Sequence, residues 1–484
     1  NIVRSLRNEA IIATTATANN RVIEDLRDNF TTSLKVQRGN LARDNLRLQT
    51  LILNSRSKRL AWLADNLGKI KGTGIIYVLT VGDSIMVSDW LNLRGHKVAS
   101  YTGNSKGREK LEEDLLNCKY KALVSTSALG MGFDMPNCSF VIHYQRPSSV
   151  IAYYQQAGRA GRGIPGANCI MFSGAEDGDI HEYFVRTAFP SKSSILLVIE
   201  ALALSEKALS VYQLEAKVNL PKKLIAKILK LMSLESQSPV IQDEKDSNKW
   251  IKTPNDVPNS YYNRVESVYR IRKKEQEEMD DYANLNDGHM EFLMKALDSP
   301  VLEYIPSPGT PKPLPGVDGV DVTTVNEANL FLKRTNIKIP PRKQFPNRKE
   351  LGLDSANIAV EEAMEEGRAL AYWGDDGWGQ LVKKGKNQDG CFSDKLVEVF
   401  CMMIRDHWKP SPFPSWVTSV PSLDHPELVA DFAKEVAGKL KIPYSPAIVK
   451  LSPSRPQKKM MNNSHQLKNI KDVFVVNDEM VLNG

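Results

Sequence analysis

Five cysteines in 484 residues, odd in number and with no CxxC pair among them, suggest neither a disulfide framework nor a thiolate zinc site. Cys118, Cys138, Cys169, Cys391 and Cys401 are widely spread, which fits a reducing, intracellular compartment. No uninterrupted apolar run is long enough to span a bilayer, so no membrane association is expected. No GxxxxGK[ST] phosphate loop and no Asp-Glu-x-His metal motif occurs anywhere, and internal repeats are absent. No signal peptide is visible, but the first residue is Asn1; such a start reads as a cut and leaves targeting unreadable.

What is present is ample for packed cores. The hydrophobic content is 42%, and the length favours several domains. The formal net charge of +7 permits a polyanionic partner without requiring one.

Strand and helix signals alternate through the first part of the chain. A short strand Ala10–Ala13 is expected to run into Thr14–Ala18, after which Asn19 or Asn20 caps a helix to about Phe30. Gly74–Leu79, Lys97–Tyr101, Ala122–Thr126 and Phe140–His143 read as strands. Asp83–Leu93, Ser105–Asn117 and Val150–Gln156 read as helices. That alternation predicts a parallel sheet with crossover helices. After Pro190 come three short helices, Ile195–Leu204, Val211–Val218 and Pro221–Ser236, then a hairpin around Asp246-Ser247-Asn248. The order is that of a winged helix, whose third helix can meet DNA, or equally of a purely structural connector. Tyr261–Leu297 reads as a charged helical hairpin broken near Asn286-Asp287-Gly288. The prolines from Ile305 to Gly316 then read as an extended linker. Beyond it, strands are expected at Trp378–Val382, Trp416–Val420 and Val473–Val476, and helices at Ser393–Trp408 and Glu427–Leu440.

The most informative segment is Tyr153 to Gly163. Arg159 and Arg162 stand three residues apart among glycines, beside Gln155. A guanidinium keeps its charge at any working pH and meets phosphate oxygens in pairs. Glycine lets the backbone approach a phosphate closely. The plainer alternative is a flexible basic loop on nucleic-acid backbone. Upstream, Ser125 to Pro136 carries hydroxyls, Gly130, Gly132 and the carboxylate of Asp134, a loop able to touch a sugar and sense its phosphates. Thr14 to Ala18 supplies further hydroxyls at another strand end.

Together these pieces resemble late motifs of superfamily-2 helicases. Gly130-Met131-Gly132-Phe133-Asp134 and Gln155-x-x-Gly158-Arg159-Ala160-Gly161-Arg162 are similar to the fifth and sixth motifs of the RecQ family, and Thr15-Ala16-Thr17-Ala18 to its third. The resemblance implies two RecA-like domains with ATP and Mg²⁺ in the cleft between them. By that likeness Arg162 is the arginine finger on the γ-phosphate, Arg159 lies beside it and Gln155 senses the nucleotide. Asp134 would contact the ribose or couple the nucleotide to the neighbouring loop. Gly130 and Gly132 would shape that loop, and Thr15 and Thr17 would link ATP state to DNA movement. Arg108 and Arg146 would touch the DNA backbone or, equally, form surface salt bridges. In the family the phosphate loop and Asp-Glu-x-His motif precede the third motif, so both are expected upstream of Asn1, and this polypeptide alone is not expected to hydrolyse ATP.

RecQ relatives usually hold a four-cysteine zinc module on a helical hairpin, which Met279–Tyr282 and His289–Leu293 resemble. No cysteine occurs between Cys169 and Cys391, so zinc is not expected. The winged-helix-like segment precedes this hairpin, whereas in the usual order it follows. Residues after the linker, including Pro341–Pro346, Trp416–Ser422, His425-Pro426 and Gln457–Asn469, resemble a phosphoribosyltransferase-like domain fused to a branch of RecQ-like helicases. In that fold Ser422 and His425 would belong to a pyrophosphate loop. Lys458, Lys459 and Lys468 would lie in a mobile loop, or simply in a solvated basic stretch.

The expected architecture is therefore α/β. Residues 1–30 end a first RecA-like domain, 31–190 form the second, and 191–258 are winged-helix-like. Residues 259–305 form the zinc-free hairpin, 306–322 the linker, and 323–484 an incomplete phosphoribosyltransferase-like domain. The function expected is a DNA helicase of RecQ type in repair or recombination, moving 3′ to 5′ on single-stranded DNA. The chain would be a fragment cut at both ends, monomeric, from a bacterial-type cytoplasm where it associates with the nucleoid. A superfamily RNA helicase is a near rival. A non-catalytic nucleic-acid-binding or phosphoribosyl-metabolite-sensing protein is the rival from another class.

Overall fold

The computed structural model describes residues 12–29, 35–129, 133–174, 176–301, 303–333, 337–345, 351–374, 377–422 and 424–481. It contains two compact units: Asn1–Ala188 with Val265–Phe331, and Phe189–Arg264 with Leu332–Gly484. Among the described residues no helix is long and apolar enough to cross a membrane.

The first unit opens with α1 (Asn20–Asn29) and then a parallel α/β layer. Its strands are β1 (Leu46–Ile52), β2 (Thr73–Tyr77), β3 (Val98–Tyr101), β4 (Ala122–Ser125), β5 (Cys138–His143) and β6 (Ala167–Ser173). Between them run α2 (Arg56–Asn66), α3 (Val81–Leu93), α4 (Arg108–Leu116) and α5 (Val150–Ala157), and α6 (Glu176–Ala188) follows β6. The sheet order is β1-β6-β5-β2-β4-β3, every pair parallel. Central strand β2 is buried at all five positions, as a strand covered on both faces must be. Helix starts are set locally: Ser55, Thr80 and Ser149 accept backbone amides of the first turns of α2, α3 and α5. Arg59 in α2 is fully buried and held by Asp177, with further bonds to the carbonyls of Leu53 and Tyr144.

In the second unit, α7 (Lys192–Ala203), β7 (Leu209–Ser210), α8 (Val211–Lys217), α9 (Lys222–Ser233), β8 (Val240–Gln242) and β9 (Lys249–Lys252) follow in sequence. The three strands form an antiparallel sheet ordered β7-β9-β8. Ser210 closes a capping box with Gln213 at the start of α8.

Helices α10 (Asn259–Ala283) and α11 (His289–Ala296) come next, separated where Gly288 adopts φ +68°. Met279, Tyr282, Met290, Leu293 and Met294 join the buried core of the first unit. His289 is buried against Tyr282, ring to ring at 5.1 Å. The proline-rich stretch lies along edge strand β1. The Gln49 amide pairs with both backbone groups of Leu314, and the Trp62 indole donates to the Pro315 carbonyl.

The remainder includes α12 (Val322–Lys333), β10 (Ile337–Ile339), β11 (Gly367–Ala369), α13 (Gly379–Lys384), α14 (Asp394–Met402), α15 (Pro426–Leu440), β12 (Ile448–Lys450), α16 (Asn463–Ile470) and β13 (Phe474–Val476). Two expectations need correction. Trp378–Val382 is not a strand: Trp378 precedes α13, and its indole donates to the Lys333 carbonyl while Lys333 and Lys395 lie over the ring. Trp416–Val420 forms only a single bridge, Val417 to Tyr444, between prolines that withhold amide donors. Of the expected strand Ala10–Ala13, Ala10 and Ile11 lie outside the described residues, and Ile12 and Ala13 carry no regular structure.

Candidate nucleotide and nucleic-acid site

Beyond the end of β4 the described chain reaches Phe133 and Asp134 just before β5 begins. Helix α5 then returns it to the same edge, where residues 158–163 turn. Three features build that turn. Gly161 adopts φ +70°, and a Cβ there would stand 2.8 Å from the Asn45 amide nitrogen. The Gly161 amide donates to the Cys138 carbonyl at 2.9 Å and the Gly163 amide to the Pro136 carbonyl at 2.8 Å. Arg43 donates to the carbonyls of Gly158 and Ala160, and Asn45 to those of Gly161 and Ile164. Arg43 and Asn45 had no signature of their own in the sequence; only the chain path brings them here.

On this frame the two arginines differ. Arg159 is half-buried and donates to the Phe133 carbonyl at 2.7 Å. Arg162 is exposed and pairs with Asp134 at 2.7 Å, with side-chain exposures of 47% and 62%. A pair so wet contributes about 0–1 kcal/mol. Its guanidinium is therefore free to exchange one oxyanion for another. Gln155 donates to the hydroxyl of Thr17 at 3.0 Å, and the Thr17 amide in turn donates to the Thr15 hydroxyl. The structure thus brings together Asp134 with Arg162, and Gln155 with Thr15 and Thr17. Gly130 and Gly132 lie outside the described residues.

A second cluster sits at the opposite edge, where the strands end and ligands of open parallel sheets commonly bind. A cavity of about 490 Å³ is lined by Tyr77, Ser127, His143, Gln145, Ser148 and Arg272 among others. His143 stacks on Tyr77 at 5.5 Å, and its Nε2 meets the Gln156 side-chain oxygen at 2.9 Å. Burial pushes its imidazole down to about 4. Beside it, Gln145 bridges the Leu79 amide and Asp83, whose carboxylate also accepts from Thr80. Sequence reading passed over this polar network because each member is common and none is a motif.

The expected DNA-contact residues separate. Arg108 is exposed at the start of α4. Arg146 is mostly buried and committed to Asp280, with its carbonyl accepting from His181. In the second unit the His425 amide donates to the Ser422 hydroxyl at 3.3 Å, directly before α15. That helix opens on Pro426, so one of its terminal amide donors is missing. Among the described residues no group of three or more His, Cys, Asp or Glu side chains could hold a metal ion.

Residues 58–163 match the helicase conserved C-terminal domain. The matched stretch contains β2 to β5, Asp134, Gln155 and both arginines. The chain is 34% identical over 180 residues to the RecQ-like DNA helicase blm-1 of Caenorhabditis elegans, covering 34% of this chain and 17% of that protein. It is 32% identical over 131 residues to the ATP-dependent DNA helicase RecQ of Synechocystis, covering 25% and 27%. It is 33% identical over 187 residues to the ATP-dependent DNA helicase Q1 of Rattus norvegicus, covering 36% and 29%. The chain thus spans less than a third of the length of these relatives. The parallel sheet of this segment resembles the C-terminal RecA-like helicase domain.

Proposed function

We propose that this chain is part of an ATP-dependent DNA helicase of RecQ type, and that its first unit carries the trans-acting half of the nucleotide site. The observation that supports this most directly is the Arg162–Asp134 pair, an exposed and readily exchanged guanidinium held on a glycine turn braced by Arg43 and Asn45. Bound ATP would supply the phosphoryl group whose developing charge such a guanidinium offsets. The residues present fit phosphate oxygens and not Mg²⁺, because Asp134 belongs to no group of side chains among the described residues that could hold a metal ion. Arg162 would bind the phosphate, Arg159 would hold the Phe133 carbonyl and so the turn, and Gln155 with Thr17 would tie this edge to the segment before α1. DNA is the proposed polymer, with 3′-to-5′ movement and a role in repair or recombination.

For residues 191–258 we infer a winged helix, supported by the helix order and the sheet order β7-β9-β8. For residues 323–484 the phosphoribosyltransferase-like reading rests on the sequence pieces alone. The test is made in the full-length parent. Arg162→Ala should lower DNA-stimulated ATP turnover by about 10³-fold while nucleotide binding is largely kept. Unchanged turnover removes Arg162 from the mechanism and favours a non-catalytic binding protein.

A further inference from the structure

The segment carrying Lys458, Lys459 and Lys468 is not a free loop. Within the second unit it is locked onto the turn between α8 and α9 by two asparagines. Asn462 is buried, and its side-chain nitrogen donates to the carbonyls of Glu215, Val218 and Leu220 at 3.0, 2.8 and 3.0 Å. Its oxygen caps α16 by accepting the His465 amide. Asn219 reciprocates from the turn, donating to the Lys459 carbonyl at 2.8 Å and accepting the Met461 amide at 2.7 Å. Lys468 reaches the Ala216 carbonyl at the end of α8.

Both partners at this junction are basic, with Glu215 in α8 the one acid among the residues whose carbonyls Asn462 holds. Between Ala216 and Leu234 there is no Asp or Glu, and Lys217, Lys222, Lys223 and Lys230 are exposed. Between Lys441 and Lys471 there is again none, and Arg455, Lys458, Lys459 and Lys468 are exposed. Phe, Tyr and Trp are absent from Ala216 to Leu234 and from Ser445 to Lys471. Unpaired bases are held largely by stacking on such rings, whereas a duplex is held by cations on its phosphates.

We propose that residues 455–468 and the α8–α9 turn form one composite surface for the phosphate backbone of duplex DNA, with Asn462 as the residue that positions it. The surface deepens the DNA-helicase reading by naming a duplex contact, but it involves no residue of the nucleotide turn. Its test therefore uses the chain without nucleotide. Fluorescence anisotropy with a blunt 20-base-pair DNA is measured from 50 to 200 mM salt. Lys458→Glu with Lys459→Glu should weaken binding at least about tenfold and lower the salt slope by about two, one for each phosphate no longer neutralised. Asn462→Ala, which changes no charge, should lower the slope in the same direction. Because no nucleotide is present, lost duplex affinity reports on this surface alone and lost ATP turnover on the nucleotide site, so failure of the one is distinguishable from failure of the other. Unchanged duplex affinity in the double lysine variant overturns the proposal. So does tighter binding of single-stranded oligonucleotide or of an acidic peptide than of duplex at the same salt.

Discussion

Gln155 donates its side-chain amide to the hydroxyl of Thr17 at 3.0 Å, across 138 residues of sequence. Thr17 is buried although its neighbour Thr15 is exposed, so the bond is shielded where it forms. Removing both partners should therefore cost less than the sum of the single changes. A double-mutant cycle of Gln155→Ala and Thr17→Val, read by urea unfolding, should show a coupling of about 0.5–1.5 kcal/mol. Strict additivity would mean that the two groups do not meet in solution.

The exposed pair Arg162–Asp134 should behave differently. Asp134→Asn is expected to change stability by no more than about 0.5 kcal/mol, because solvent screens the pair. In the proposed helicase, Arg162→Lys should lose nearly as much ATP turnover as Arg162→Ala, since an ammonium lacks the planar fork. Full activity of the lysine variant would show that charge alone suffices.

Two glycines with positive φ offer an internal comparison. At Gly161 a Cβ would meet the Asn45 amide nitrogen at 2.8 Å, whereas at Gly95, with φ +82°, nothing lies within 4 Å. Gly95→Ala should cost roughly 1 kcal/mol, the penalty of the left-handed backbone alone. Gly161→Ala should cost roughly 1–3 kcal/mol more, because the Asn45 bonds to Gly161 and Ile164 must shift. Equal denaturation midpoints for the two variants would contradict this packing.

The buried histidines predict a pH dependence. Burial depresses the His143 imidazole to about 4 and also lowers His181. As pH falls from about 6.5 to about 4, the unfolded chain takes up a proton on His143 that the folded chain refuses. Stability present above that window is lost within it, by up to roughly 3 kcal/mol from this residue. Lowering the pH below about 4 removes nothing further on its account. Thermal unfolding of His143→Gln against the parent chain across pH 4–7 checks the sign: the variant's curve should be flatter. A parallel pair of curves would place the imidazole in water.

Much of the central layer was legible because its signals are local. The continuous apolar runs of β2, β4 and β5 announce buried parallel strands. β1 was not legible, since Arg47 and Gln49 interrupt an edge strand whose polar side chains are needed elsewhere; Gln49 holds Leu314. Trp378–Val382 misled because a short apolar run carries no period long enough to separate strand from helix. Of the candidate site, the glycine–arginine turn stood out by composition, while Arg43, Asn45 and His143 are ordinary residue types made important by position.

By itself the sequence determined the alternating elements, the helix caps and the presence of two arginines among glycines, because propensity, capping and periodicity act within a few residues. Only the tertiary structure decided that Arg162 faces Asp134, that Arg159 holds the Phe133 carbonyl, and that Lys459 stands against the α8–α9 turn. Those pairings join residues 26 to 240 positions apart. Such partners are chosen by the path of the folded chain and by the demand that buried donors find acceptors.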